Sequence, residues 1–572
     1  MKIDGKYILG IACGYHDSAA ALIKDGKVLG AVEEERFTGI KHDSSFPSKS
    51  IEWLLEDNGI EGKDIYSVCY YENPTEKIDR IKKSLERGGL KNILQRPRII
   101  QQNQQQFRDY EKLMVEHTHP EVNIVWGDHH FSHAAYSYYT SDYQKSAIVT
   151  VDGVGEWDTT GLFYGEGNKI SRIDSIQFPT SLGMLYSTFT AFLGFKPLEG
   201  EYKVMGLAPY GNPDRYKEEF EQLYTLEKDG KFSLNMDYFV YDWNEKEMFN
   251  EKLSKLFGIP NRLPDENMRP EDKDIAAGLQ YTYEKLFFRL LDQMFGIRPT
   301  NNLCLGGGSA YNGTANGKIH KKTQYKNLWI PPAPSDAGSA IGCALFYYYT
   351  ESETDKRVEN KVPYLGPYFS NDIVEDLLQE YDDEVYYVVK TNRSLIDHIA
   401  GEIHRGNVVG WFEGKLEFGA RALGNRSILA NPCDPQMKQR LNRVVKKREN
   451  FRPFAPIVKE EDMTKYFDYK LSVPYMNQVV HVKEEHQKQL PAITHVDGSA
   501  RIQTLNNKQH NRMYSLLTKL NEVNGYPIVL NTSFNLKDQT MVRDPKTAID
   551  TFLDCDMDTL VIHNYVIKKK IK

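Results

Sequence analysis

Cysteine is scarce in this 572-residue chain: six residues, at Cys13, Cys69, Cys304, Cys343, Cys433 and Cys555, with no Cys-x-x-Cys pair among them. Their wide scatter excludes a disulfide framework, so reduced and mostly buried thiols are expected. No stretch approaches the roughly 20 apolar residues that span a bilayer. The uninterrupted apolar core of a secretory signal is absent too, because His16 and Asp17 follow soon after Ile8 to Ala12. A cytoplasmic protein is expected. Positive charge is not in excess either: the formal net charge is −7, which speaks against extended binding of nucleic-acid backbones or membrane surfaces. A Walker loop, a Gly-x-Gly-x-x-Gly fingerprint and a His-Glu-x-x-His zinc pattern are all missing. The only biased tract is the short amide run Gln101 to Gln106.

What is present is a globular composition. Hydrophobic residues make up 40% and charged residues 26%, enough to bury sizeable cores. At roughly 100–200 residues per domain, the length predicts about three or four folding units, or two if they are large α/β units. The first forty residues read as strands: Tyr7 to Ala12, a turn at Gly14 to Asp17, Ser18 to Ile23, the hairpin signal Asp25-Gly26, then Val28 to Val32. A similar arrangement recurs about 138 residues later, with Ala147 to Val151, Asp152-Gly153, Thr159 to Tyr164 and a turn at Gly165 to Gly167. The two units agree in pattern more than in identity, which suggests an internal duplication. Helices are expected at Ile51 to Leu55, Ile78 to Leu85, Ile275 to Met294 and Gly338 to Tyr349, the last capped by Ser335-Asp336. A mostly helical insertion is expected over residues 214–274. The expected domain division is residues 1–360, a Pro/Gly-rich linker region at 361–384, and a second domain at 385–572. In that second part, Val385 to Val389, Val408 to Phe412, Ile528 to Leu530 and Leu560 to Ile562 read as strands, and residues 436–452 are strongly basic.

Several constellations point to chemistry. In Asp128-His129-His130-Phe131-Ser132-His133, His129 and His133 are four apart and share one helical face, as two imidazoles binding one metal must. Asp152, at a strand end, is a candidate third ligand, and Asp336, in a rigid loop before a helix, a candidate fourth. The same residues also fit a satisfied core histidine, a chain-turning aspartate and a helix cap. Gly306-Gly307-Gly308-Ser309 ends a strand and opens a helix, which suits either close backbone approach to an anion or a tight structural turn. Lys415, Arg421, Arg426, Lys446 and Arg452 lie among small and aromatic residues. Guanidinium groups between glycines suit a close-fitting phosphate or carboxylate site, although Arg–carboxylate pairing on a basic helix is the commoner use.

Taken in order, these residues resemble a known family. Gly14-Tyr-His16-Asp-Ser-Ala, Glu33-Glu-Glu-Arg36-Phe, His129-His-x-x-His133-Ala, Val151-Asp152-Gly and Lys203-Val-Met-Gly-Leu-Ala-Pro209 are similar to the O-carbamoyltransferases of the NodU/CmcH type. So are Pro334-Ser-Asp336-Ala-Gly, Phe418-Gly-Ala-Arg421-Ala-Leu-Gly-Asn-Arg426, Phe451-Arg452-Pro-Phe-Ala-Pro456 and Asn531-Thr-Ser533-Phe-Asn535. Departures from the family pattern are Ala420 for Pro, Lys415 for Arg and Tyr311 for Leu. The resemblance implies an α/β protein with a duplicated actin-like ATPase-superfold domain, similar to threonylcarbamoyl transferases, followed by a YrdC-like α/β domain. It implies that the second domain joins carbamoyl phosphate to ATP, used as Mg-ATP, giving carbamoyl adenylate and pyrophosphate. The carbamoyl group then passes inside the protein to a hydroxyl of a small-molecule, sugar or nucleotide acceptor at the first domain's metal site, releasing AMP.

By that resemblance His129, His133, Asp152 and Asp336 hold a divalent metal, iron in the family, with zinc or manganese as alternatives for this donor set. Arg421, Lys446, Arg452, Arg501, Asn531 and Ser533 bind carbamoyl phosphate and ATP, with Lys446 also catalytic. Lys41, Gly306, Gly307 and Asn312 contact nucleotide in the first domain. His16 is the expected general base, with Asp17 in reserve, because imidazole titrates near neutrality. Acceptor-specific walls are expected in residues 214–274 and in the amide-rich stretch before His117. Two rival readings remain: an actin-like ATPase module whose nucleotide cycle drives partner binding, and carbamoylation of a hydroxymethylated base in nucleic acid.

Overall fold

A computed structural model describes residues 3–244, 246–446 and 452–570. The chain divides into two compact units, one formed by Met1–Ala31 with Ser44–Lys361, the other by Val32–Asp43 with Val362–Lys572. The short stretch Val32–Asp43, which a simple division at residue 360 leaves in the first unit, thus packs with the second.

The first unit contains the duplication. Its first sheet has the order β3-β2-β1-β4-β5, from β1 (Tyr7–Ala12), β2 (Ala19–Lys24), β3 (Lys27–Glu33), β4 (Ile65–Tyr70) and β5 (Asn123–Trp126). The second, built from β6 (Lys145–Val151), β7 (Asp158–Glu166), β8 (Lys169–Gln177), β11 (Asn302–Gly306) and β12 (Asn327–Trp329), repeats that order as β8-β7-β6-β11-β12. In each, the first strand pairs antiparallel with its hairpin partner and parallel with the later strand. The duplication expected from the sequence is present as two mixed sheets of the same strand order. Asp25 and Gly26 both take positive φ, 52° and 73°, as the two-residue hairpin signal predicts. Central strands such as β1 are apolar on both faces because both faces are covered.

Residues 214–274 depart from expectation. In place of a helical insertion there are two short helices, Lys217–Glu221 and Glu251–Phe257, and a hairpin of β9 (Tyr224–Leu226) and β10 (Phe232–Leu234). The physical reason lies in the anchors. Phe220 and Phe257 pack against Phe189 and Phe192, while Asp229-Gly230 turns the chain, with Gly230 at φ 93°. Irregularly spaced aromatics can tether loops without sustaining a helical face.

The second unit carries one eight-stranded mixed sheet of order β13-β22-β21-β14-β15-β20-β16-β19. Its strands are β13 (Val385–Val389), β14 (Val409–Phe412), β15 (Arg426–Ala430), β16 (Ala455–Lys459), β19 (Gln503–Leu505), β20 (Ile528–Ser533), β21 (Thr559–Ile562) and β22 (Tyr565–Lys569), with β17 (Val479–His481) and β18 (Ser499–Arg501) forming a separate ribbon. The region expected as linker holds a helix, Asn371–Glu380, whose Val374 and Leu378 are buried in this unit's core. Flanking prolines and glycines obscure its four-residue apolar spacing. Of the expected basic run, Lys447, Arg448, Glu449 and Phe451 lie outside the described residues. No helix among the described residues is long and apolar enough to cross a membrane.

Candidate functional site

In the first unit, four side chains from three separate places in the chain converge. The helix His129–Tyr139 begins at Asp128, whose carboxylate accepts the N–H of Phe131 at 2.8 Å. Its first and second turns project His129 and His133, whose Nε2 atoms lie 3.1 Å apart. Asp152 leaves the end of β6, and its Oδ2 is 2.9 Å from His133 and 3.6 Å from His129. Asp336 opens the helix Asp336–Glu351, and its Oδ1 is 3.4 Å from His133 and 3.7 Å from His129. No side-chain cap bond forms at that helix start, so capping does not account for Asp336. The two ligand-bearing helices approach closely because Gly342 faces the carbonyl of Ser132, which a Cβ would meet at 1.9 Å.

These atoms fit a divalent cation. All four lie within 4.8 Å of one another. Ligands about 2.1 Å from a common ion stand about 3.0–3.4 Å apart, close to the spacings seen. Asp336 Oδ1 is buried and makes no hydrogen bond among the described residues, a costly state for a carboxylate oxygen that has no cation to face. Burial opposes charge on His129, yet the hydrogen bond to Asp152 and the carboxylate of Asp336 outweigh it and raise the imidazole to about 10. Asp152 shows the converse: burial pushes it up, and the two histidines hold it well below the carboxylate range. Two imidazoles and two carboxylates suit iron, manganese or zinc alike.

The surroundings orient the cluster. Ser339 Oγ lies 3.1 Å from His133 Nδ1, and Asp152 accepts the N–H groups of Gly153 at 2.6 Å and Gly308 at 3.1 Å. Buried Glu156 receives the N–H of His129 at 3.2 Å, and burial together with Asp128 pushes its carboxyl up to about 7. His130 turns away from the cluster, its ring engaged with Thr150 Oγ1 at 2.7 Å and the Asp158 carbonyl at 2.9 Å. Sequence alone does not single out Ser339 or Glu156, although Ser339 falls one turn after Asp336.

The expected nucleotide contacts of this unit have structural work of their own. A Cβ at Gly306 would meet Ser137 Oγ at 2.6 Å, and one at Gly307 would meet the Val151 carbonyl at 2.2 Å, so both glycines are explained by packing. Asn312 exchanges two hydrogen bonds with Gln280, each 3.1 Å, and caps the following turn. Lys41 is exposed and belongs to the stretch that packs with the second unit.

His16 sits in the turn between β1 and β2, its Nδ1 3.0 Å from Asp17 Oδ2. Burial lowers its affinity for a proton, but the Asp17 bond and the nearby charges of Asp336 and Asp152 raise it to about 9. Against the same turn stands Tyr110, whose hydroxyl a Cβ at Gly14 would meet at 2.8 Å. Tyr110 and Phe46 line an open cavity of about 650 Å³ with Ser44, Gln102, Asn103 and Gln106. The amide run therefore forms part of a cavity wall.

In the second unit, Lys446 follows a π turn over Leu441–Val445 and is buried at 4% exposure. Its ammonium donates to the Ser533 carbonyl at 2.5 Å, the Asn535 carbonyl at 2.8 Å and Asn535 Oδ1 at 2.8 Å. Asn531, two residues earlier on β20, donates to the Ala422 carbonyl at 3.0 Å while its Oδ1 is buried without a partner among the described residues. Ala422 adjoins Arg421. Asn442, within the π turn, donates to the carbonyl of Arg452 at 3.2 Å. Arg501 ends β18, and Gln503 just beyond it donates to the Leu423 carbonyl at 3.0 Å. Lys446 and Ser533 thus meet directly, while Arg421, Arg452, Arg501 and Asn531 are tied to the same loops through their neighbours. Arg426 is different. It is fully buried, stacks on Phe412 at 3.6 Å and donates to the carbonyls of Glu413 and Gly414, so its role is to hold the fold.

Comparison with known proteins identifies the family of the chain. The family model described as Carbamoyltransferase N-terminus matches residues 7–345, and Carbamoyltransferase C-terminus matches residues 400–569. An uncharacterized protein of Synechocystis sp. is 39% identical, covering 98% of this chain and 97% of that one. Nodulation protein NolNO of Sinorhizobium fredii is 34% identical, covering 97% of this chain and 79% of that one. Among solved structures, HypF of T. kodakarensis aligns with 63% of this chain and 50% of its own at 13% identity and a TM-score of 0.32. Two family models in sequence and relatives aligned along nearly the whole length lead to one conclusion: the chain belongs to the carbamoyltransferase family, and it is a transferase.

Proposed function

We propose that the protein is an ATP-dependent O-carbamoyltransferase that divides its reaction between the two units. In the second unit, carbamoyl phosphate and ATP meet at Lys446, Arg421, Arg452, Arg501, Asn531 and Ser533. Both substrates are polyanions, so their approach requires cationic donors fixed in advance. Phosphorus balance sets the order of bonds: carbamoyl phosphate yields its phosphate to water, and the carbamate oxygen attacks the α-phosphorus of ATP. Pyrophosphate leaves and carbamoyl adenylate remains. In the first unit the acceptor hydroxyl adds to the carbamoyl carbon, AMP leaves, and the hydroxyl proton passes to His16 Nε2. Asp17 orients the ring through Nδ1. A divalent ion held by His129, His133, Asp152 and Asp336 would supply Lewis-acid polarisation of phosphate or carbonyl oxygens.

The observation that carries this reading is the convergence of those four ligand atoms within 4.8 Å in a chain of the carbamoyltransferase family. The acceptor, a small molecule, sugar or nucleotide, is placed at the cavity of Phe46, Tyr110 and the amide side chains, next to the His16 turn. Product analysis tests the reading: a panel of hydroxyl acceptors is incubated with carbamoyl phosphate and ATP and followed by mass spectrometry. One AMP, one pyrophosphate and one phosphate are expected per carbamoylated acceptor. ADP and phosphate without carbamoylation would favour an ATPase module instead.

A further inference from the structure

The Glu33-Glu34-Glu35-Arg36-Phe37 stretch takes no part in either half-reaction, yet its charges are buried: Glu33 is 5% exposed, Glu34 2% and Arg36 4%. Burial at that level is costly unless the charges are paired and used. Two of them, Glu33 and Arg36, are used on one residue. Glu33 Oε1 accepts the N–H of Gly419 at 2.6 Å, and Arg36 Nη2 donates to the carbonyl of the same Gly419 at 3.2 Å. Arg36 is steadied by Glu33 at 3.4 Å and Glu35 at 2.9 Å, and the stretch is fastened again where Arg543 donates to the Phe37 carbonyl at 3.0 Å. Both polar groups of Gly419 are therefore gripped while its φ of 116° holds a conformation that other residues avoid.

Arg421 lies two residues further on, and the chain beyond it is anchored as firmly. Glu417 Oε1 accepts the N–H groups of Leu423 at 2.8 Å, Asn425 at 2.8 Å and Arg426 at 3.0 Å. Asn531 holds the Ala422 carbonyl, and Tyr364 holds that of Leu423 at 3.0 Å. Arg421 is carried between two fixed points, and one of them comes from a stretch nearly four hundred residues away in sequence.

We propose that Glu33 and Arg36 are positioning residues for the carbamoyl phosphate site, clamping Gly419 so that the loop bearing Arg421 is preorganised for its anion. The proposal rests on the reading of Arg421 as a ligand of carbamoyl phosphate and ATP. A guanidinium on a loosened loop still binds an anion, but it must first be ordered, so the loss appears in substrate affinity. A clamp that served only the fold would instead lower every activity together.

Steady-state pyrophosphate release separates these cases in the full-length protein. Glu33→Gln keeps an acceptor for Gly419 N–H but removes the charge that steadies Arg36; Arg36→Lys keeps the charge but loses the fork. The KM for carbamoyl phosphate should rise about tenfold in Glu33→Gln and further in Arg36→Lys. Bound metal per chain, and single-turnover transfer from preformed carbamoyl adenylate, should stay at wild-type values. Wild-type KM in both variants would overturn the proposal, as would equal loss of metal, transfer and pyrophosphate release. Lys446→Ala is run beside them. Should it leave pyrophosphate release intact, the site reading itself has failed; should it abolish release while the clamp variants match wild type, the clamp alone has failed.

Discussion

In the first unit the candidate ligands stand at the ends of regular elements: two on one helix face, one after a strand, one at a helix start. In the second unit the candidate cations stand just after a π turn, at the end of a short strand, and on loops whose backbone is held by buried side chains. The first arrangement is fixed by secondary structure itself and brings charges of opposite sign into contact. The second, in the proposed function, gathers like charges, which repel until an anion arrives, and so depends on a scaffold that absorbs the strain. A metal site and a polyanion site thus place different demands on the same chain, and substitutions should separate them.

The largest separation is expected between Lys446→Ala and His133→Ala. Lys446→Ala should lower carbamoyl-dependent pyrophosphate release by about 10³-fold with metal content unchanged. His133→Ala should lose the metal and acceptor carbamoylation while still releasing pyrophosphate. Elemental analysis alongside a pyrophosphate assay reads both, and a variant that lost both functions together would break the comparison.

A smaller effect is expected at the His16 turn. His16→Asn should slow single-turnover transfer from carbamoyl adenylate by about 10²-fold, leaving adenylate formation intact. With the imidazole raised to about 9, its basic form is the minor one at neutral pH, so transfer should climb with pH toward that value. Asp17 supplies the hydrogen bond that raises it, so Asp17→Asn should move the rising limb to lower pH and reduce the plateau. A limb that stays in place would remove Asp17 from the titration.

Smaller again, Ser339→Ala should weaken metal binding by about tenfold, because His133 Nδ1 loses its partner; chelator competition measures it. Smallest is the cavity wall: Gln102→Ala should raise the KM of the acceptor about fivefold, the worth of one hydrogen bond, with no change for carbamoyl phosphate.

The same contrast explains what the sequence revealed. His129 and His133 are legible because helical spacing alone puts them on one face, and the hairpin at Asp25-Gly26 because only a few residues take two positive φ values in succession. Arg426 is not legible. An arginine between glycines reads the same whether it meets a ligand or, as found, the carbonyls of Glu413 and Gly414. Gly306, Gly307 and Asn312 are ambiguous in sequence for a related reason, since close backbone packing and anion binding select the same residue types. The helix Asn371–Glu380 is masked by its Pro-rich flank, and the grip of Glu33 and Arg36 on Gly419 by a separation of 383 positions or more in the chain.

The most direct test of two sites dividing one reaction is carbamoyl phosphate-dependent exchange of labelled pyrophosphate into ATP, measured on the metal-free His129→Ala/His133→Ala protein. The account predicts exchange near the wild-type rate together with no carbamoylated acceptor. Exchange that vanishes with the metal, or ATP consumed only to ADP, would contradict it.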